Sequence, residues 1–284
     1  MALVFDAQHA AVLAGSRELS VAVTSDRTPP RPFRDLHYVR VISTGLSFLL
    51  FGVFGTILGI LVVPLLLAFP GSRIARQARV RRMIRLAFRA LVGFMNQTGC
   101  ISYAFSGVSS LGKSGQLVIA NHPSLIDIVL LIAFVPGAAC VVKRAAWRNP
   151  SMVIAVHAAG YVANSPTESM IEKGSALLAA GECLIMFPEG TRTVPDRPAH
   201  FHRGAASVAL RTARVVTPVF IDVRPPHLSK AVPWYRVPVI RPHYSLSIGP
   251  DIDPGPYRER PAPVASRALN EFFKSSYASV VRTT

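Results

Sequence analysis

Acidic residues are scarce in this 284-residue chain: 15 Asp and Glu stand against 31 Lys and Arg, a formal net charge of +16. A basic surface is thereby a poor partner for it. An anionic one is expected: nucleic acid, an anionic membrane or an anionic substrate. Cysteine is scarcer still. Cys100, Cys140 and Cys183 lie far apart with no Cys-x-x-Cys pair, so the sequence offers no disulfide framework or zinc site and fits a reducing compartment. Cys140 and Cys183 sit inside apolar runs and read as core. No metal-ligand cluster, internal repeat or low-complexity tract is visible, which leaves a globular reading. A secretory signal is missing too, because an acid comes early and the mildly apolar residues 7–15 are broken by polar ones.

Charge is absent altogether from residues 46–69. A bilayer core of ~30 Å needs about 20 apolar residues as a helix, so this stretch is long enough to span. Gly52, Gly55 and Gly59 are tolerated in membrane helices, and Pro64 is placed to kink this one. A buried core helix is one alternative, and a helix that dips into one leaflet and returns is another. Residues 71–98 follow with seven arginines and no acid. Ile74, Val80, Ile84, Phe88, Leu91 and Met95 recur there at helical spacing between arginines, the pattern of an amphipathic interfacial helix on an anionic surface. The strongest positive cluster thus adjoins the most apolar segment, which favours lipid head groups over nucleic acid. By the positive-inside rule its side is cytoplasmic.

What is present elsewhere is 50% hydrophobic residues overall, with a mean hydropathy of +0.37. Residues 1–38 are irregular, with a Pro-rich loop at 28–32, and read as a flexible tail. Residues 39–98 read as the membrane-anchoring and amphipathic helices, and 99–284 as one catalytic-size domain. There, short apolar runs at 116–120, 139–142, 161–163, 183–187, 215–221 and 245–248 are candidate strands. Helical stretches at 124–134, 150–158, 167–180, 204–214 and 265–281 alternate with them. The fold class is α/β, a mixed and mostly buried sheet flanked by helices.

Two segments carry chemistry. In Asn121-His122-Pro123-Ser124-Leu125-Ile126-Asp127 a strand ends and a helix begins. Within one helix, positions 122 and 127 would point about 140° apart. Pro123 instead disfavours a helical His122, which leaves His122 in the preceding turn, free to fold back on Asp127. An Asp on one ring nitrogen leaves the other as a general base. A His that merely caps a helix is the bland alternative. The second segment, Phe187-Pro188-Glu189-Gly190-Thr191-Arg192, runs from a strand into a polar turn, where Arg192 can pair with a phosphate and Gly190 lets the backbone approach a ligand. Glu189 can accept from hydroxyls or orient Arg192. A tight turn with a surface ion pair is the bland alternative here.

Together these segments resemble the glycerolipid acyltransferase family, the lysophosphatidic acid acyltransferases and their relatives. That family's signature is Asn-His with Asp five residues after the His, then Phe-Pro-Glu-Gly-Thr-Arg some sixty residues on. Weaker matches are Val142-Lys143-Arg144 with Trp147, Phe201-His202-Arg203-Gly204, and Val216-Thr217-Pro218. The resemblance covers roughly residues 100–250, about half the chain. It implies His122 and Asp127 as the catalytic pair, with Asn121, Lys143, Glu189, Gly190, Thr191 and Arg192 around the substrate. It also implies a lysolipid acceptor, an acyl-CoA or acyl carrier protein donor, no further cofactor, and a membrane location, a bacterial inner membrane being the expectation. N–H groups at the start of the 124–134 helix are candidate oxyanion donors. One departure stands out: Pro166 occupies the place of an arginine that the family uses for the acceptor's phosphate. An amino-lipid such as lyso-ornithine lipid, another lysophospholipid, or a glycolipid therefore stays open as acceptor. A non-catalytic membrane adaptor is the rival of another class. His157 reads as a packing histidine, and His200 and His202 as possible entrance residues. Trp147 and Trp234 read as interface anchors or ordinary packing.

Overall fold

The computed structural model describes residues 37–165, 168–194, 200–230 and 232–281. The tail expected over 1–38 lies outside them except for its last two residues, and Pro166 also lies outside.

Helix α1 (His37–Ile57) continues through a π-helical turn (Leu58–Val62) into α2 (Val63–Ala68). Pro64 sits in the first turn of α2, and the Val63 N–H reaches back five residues to Leu58 O. A proline that cannot donate is thus absorbed by a wider turn. Helix α3 (Arg73–Gln97) then folds back, starting where the Ser72 hydroxyl accepts from the Ala75 N–H at 3.2 Å. Phe88 of α3 lies 6.0 Å from Phe51 of α1.

The α/β part comprises β1 (Ser102–Ser106), β2 (Gln116–Ala120), α4 (Asp127–Phe134), β3 (Ala139–Lys143), α5 (Val153–Ala158) and β4 (Val162–Asn164). It continues through α6 (Glu168–Ala179), β5 (Leu184–Met186), α7 (Gly204–Thr212), β6 (Val215–Arg224), β7 (His243–Ile248), α8 (Gly255–Arg258) and α9 (Ala262–Val281). The strands form one mixed sheet in the order β1-β7-β6-β2-β5-β3-β4. Strands β2 to β6 run parallel, β7 is antiparallel to β6, and β1 is parallel to β7. Every residue of β2 and β5 is buried, as a central strand covered on both faces requires. The expected strands all form, and β6 runs three residues past its expected end. Strand β1 was not anticipated. It is an edge strand with only partial burial, and so lacks the continuous apolar run that marks the others.

The first helix is inverted relative to a soluble protein. Arg40, Ser43, Thr44 and Ser47 are buried, while Ile42, Leu46, Leu49, Val53, Phe54 and Ile57 are exposed. A buried core helix would show the reverse. The polar face is strapped to the sheet domain: Thr44 Oγ1 lies 3.1 Å from Cys100 Sγ, and the Thr56 hydroxyl donates to Ser151 Oγ at 3.1 Å.

Helix α3 departs from the simple interfacial reading. Arg81 is buried, pairs with Glu182 and donates to Ala159 O at 2.8 Å. Arg85 donates to Ala133 O at 3.2 Å, and Arg79 to Phe69 O at 2.7 Å. Only Arg73, Arg76, Arg82 and Arg89 of the seven are exposed. His157 packs as expected, though at the surface and not in the core: it is exposed on α5, edge-on to Trp147 with ring centroids 4.3 Å apart.

Candidate active site

The loops after β2, β3, β4, β5 and β6 meet at the carboxyl edge of the parallel strands, where ligands bind in open α/β sheets. His122 leaves β2 there. Its Nδ1 lies 2.9 Å from Asp127 Oδ2, so Nδ1 carries the donated proton and Nε2 is the free nitrogen. The same carboxylate oxygen accepts from the Ser124 N–H at 2.7 Å. Asp127 opens α4 and is fully buried, and burial raises its carboxyl above the usual range against the pull of His122 and the Ser124 N–H. The His122 ring stacks on Phe187, with centroids 4.3 Å apart, which fixes its plane.

Glu189 does something other than expected. It is buried, accepts from the His122 N–H at 3.1 Å and from the Thr193 hydroxyl at 2.9 Å, and burial raises its carboxyl. With Thr193 N–H donating to His122 O at 2.7 Å, the Glu-Gly-Thr-Arg turn clamps the His122 backbone from both sides. Through Oε1, Glu189 thus holds the backbone of His122. Asn121 differs from expectation too. Its amide donates to Ile221 O at 2.8 Å and accepts from Ile221 N–H at 2.7 Å, extending the β2–β6 ladder by one rung.

Arg192 spends Nη1 on Leu228 O (2.9 Å) and Ser229 O (3.2 Å), which anchors the β6–β7 connection through one of its two terminal nitrogens and leaves the Nε–Nη2 edge for the bidentate pairing expected of it. Lys143, at the end of β3, donates to the Thr191 hydroxyl at 3.4 Å. Burial, then Lys230 and Arg192, lower the Lys143 pKa, which shows three cations gathered at one mouth. Lys230 was not anticipated; no motif surrounds it, and only the fold carries it there. Gly190 takes φ +64, and a Cβ on it would meet the His202 ring at 3.2 Å, so glycine is needed both for conformation and for space. Asn164 Nδ2 donates to Gly190 O at 3.4 Å. His202 lies at this turn, and His200 sits edge-on to it with ring centroids 4.7 Å apart.

The expected oxyanion donors are partly taken. The Ser124 N–H goes to Asp127, the Leu125 N–H goes to Leu228 O at 3.1 Å, and the helix begins only at Asp127. Behind the pair lies a buried relay: Ser124 Oγ is 2.8 Å from Tyr244 OH, itself 3.0 Å from His227 Nδ1.

An apolar cavity of about 810 Å³ opens between α1, α3, α4 and α5. Phe51, Phe54, Phe88, Leu91, Met152 and Val156 line it, and it reaches Ile128 and Val129 beside Asp127 and Val142 beside Lys143.

Residues 102–222 match the model of the acyltransferase family. A 1-acyl-sn-glycerol-3-phosphate acyltransferase of Cocos nucifera is 30% identical over 120 residues, 40% of this chain. The chain spans only about two fifths (39%) of that relative's length. A crystal structure of the 1-acyl-sn-glycerophosphate (LPA) acyltransferase PlsC from Thermotoga maritima shares the fold, with a TM-score of 0.57 at 21% identity over 83% of this chain and 97% of that one. His122, Asp127, Lys143 and the Glu189–Arg192 turn all fall inside the segment that is similar to the acyltransferase family.

Proposed function

We propose that this chain is a membrane-bound O-acyltransferase that moves a fatty acyl group from a CoA or acyl carrier protein thioester to a lysolipid hydroxyl, with 1-acyl-sn-glycerol-3-phosphate the leading acceptor and phosphatidic acid the product. The observation that carries it is the His122–Asp127 pair (2.9 Å) at the start of a helix whose Ile128, Val129 and Ile132 line a large apolar cavity. His122 Nε2 takes the acceptor's hydroxyl proton as the oxygen attacks the thioester carbonyl. The C–S bond then breaks, and the departing thiolate recovers the proton from His122. Asp127 keeps the tautomer and supports the imidazolium. Lys143, Lys230 and Arg192 draw in an anionic head group or the donor's phosphates. The cavity takes the acyl chain. As written, the reaction needs no cofactor beyond the acyl carrier.

The outward apolar face of α1 supports membrane association. Because its polar face is fastened to the domain at both Thr44 and Thr56, a helix that lies in one leaflet fits better than one that crosses clear of the domain. The cytoplasmic face of a bacterial inner membrane is the proposed location, with nucleic acid no part of the function.

His122→Ala and Asp127→Asn are each expected to cut acyl transfer by about 10²–10⁴, the range for a positioned acid–base group, with membrane association kept. Activity within a few-fold of wild type sinks the proposal and favours the adaptor reading. Lipid mass spectrometry in a host lacking its own lysophosphatidic acid acyltransferase decides the acceptor. Without restored phosphatidic acid synthesis, the second reading holds: another lysophospholipid, an amino-lipid or a glycolipid, which Pro166 in the place of the family's phosphate-binding arginine favours.

A further inference from the structure

The connection between β6 and β7 exposes a row of apolar side chains. Val232, Trp234, Tyr235, Val239 and Ile240 are each 40–61% exposed. Five such residues within nine is not the scatter of single apolar residues that an ordinary surface carries. They also join a second apolar surface. A Cβ on Gly45 of α1 would lie 3.4 Å from the Trp234 ring, the Phe48 and Trp234 rings are 5.7 Å apart, and Arg40 donates to Val239 O. Tyr38, Val39, Ile42, Leu46 and Leu49 of α1 are exposed at this same end. The patch is therefore continuous across two elements far apart in sequence.

Its charge is one-sided. The charged residues between 224 and 250 are Arg224, Lys230, Arg236 and Arg241, with no acid among them, and Lys230 and Arg236 are exposed. Exposed Trp and Tyr beside aliphatic side chains and basic residues fit the head-group boundary of an anionic leaflet. A folded protein partner gives no reason for the absence of acids or for the continuity with α1.

The root of the connection is fastened to the catalytic turn. Leu228 O accepts from both the Leu125 N–H and Arg192, and Ser229 O accepts from Arg192. We propose that residues 232–240 form a second membrane-inserting element: they bury their apolar side chains at the surface of an anionic leaflet beside α1, and through Leu228 and Ser229 they hold the acyl-transfer site at the lipid surface. This rests on the membrane reading of α1.

The chain has two tryptophans, so Trp147→Phe leaves Trp234 as sole reporter. The full chain is mixed with vesicles of phosphatidylcholine and phosphatidylglycerol, with and without bromine on the acyl chains. Flotation with the vesicles together with strong quenching and a blue shift of Trp234 emission is the expected result, and it persists in a His122→Ala background. Flotation without quenching overturns the inference alone. Failure to float overturns it together with the membrane reading. Tyr235→Ser/Ile240→Ser removes exposed side chains without touching the core. The pair is expected to lower transfer to a vesicle-borne lysolipid roughly tenfold, the worth of one apolar side chain's burial, and to spare transfer to a water-soluble short-chain acceptor. Equal loss on both acceptors overturns the coupling to the lipid surface.

Discussion

Burial works against the charged form of both Asp127 and His227. A buried carboxylate is costly, and His122 Nδ1 and the Ser124 N–H support that of Asp127; the proposed use as a base-orienting group accounts for its presence. His227 sits behind it, buried, and burial lowers its pKa from 6.5 to about 4. Between those values the unfolded histidine binds a proton that the folded one refuses. Its contribution is therefore intact above the ordinary pKa and drains away as pH falls, by roughly 3 kcal/mol at most. His227→Gln, which can still accept from Tyr244, is expected to flatten that acid limb. Urea melts between pH 4 and 7 measure it, and an unchanged slope rejects the assignment. None of this was legible from residues 227 or 244, because their partners lie in other elements. The His122–Asp127 pair was legible, since Pro123 sets the local backbone. The roles of Asn121 and Arg192 were not: their partners are 100 and 36–37 residues away.

Among elements, α3 shows most clearly how an arginine-rich face divides its work. Arg81 passes through to Glu182 and the Ala159 carbonyl, so α3 is pinned to the loop ahead of β5 while Arg73, Arg76, Arg82 and Arg89 stay at the surface. Arg81→Leu strands Glu182, whose side chain is 11% exposed, and is expected to cost about 3 kcal/mol, with Arg81→Leu/Glu182→Leu recovering most of it. Thermal melts of both variants test this; a double variant no better than the single points to the Ala159 contact instead. Helical spacing in the sequence predicted α3 as a helix correctly. It could not say which arginines turn inward, because periodicity marks faces and not what covers them.

For the molecule as a whole, the apolar cavity joins helices from both halves of the chain, so in the proposed reaction chain-length selection belongs to no single element. Ala155 lines it from α5, and Ala155→Phe fills part of it. The variant is expected to prefer shorter donors, with each displaced methylene costing ~0.8 kcal/mol, about fourfold in kcat/KM. A panel of saturated acyl-CoAs gives the profile, and an unshifted optimum removes the cavity from acyl binding. The sequence by itself determined the α/β class, the central strands, the His122–Asp127 turn and the apolar first helix, all of which follow from local pattern: the apolar runs of β2 and β5, the stop imposed by Pro123, the uncharged run at 46–69. Tertiary structure alone decided that α1 turns its polar face inward, that Glu189 clamps His122, that Lys230 joins Lys143 and Arg192, and that Trp234 lies against Gly45. Each of these depends on contacts between distant segments, whose geometry is set by packing and not by the residues' own neighbours.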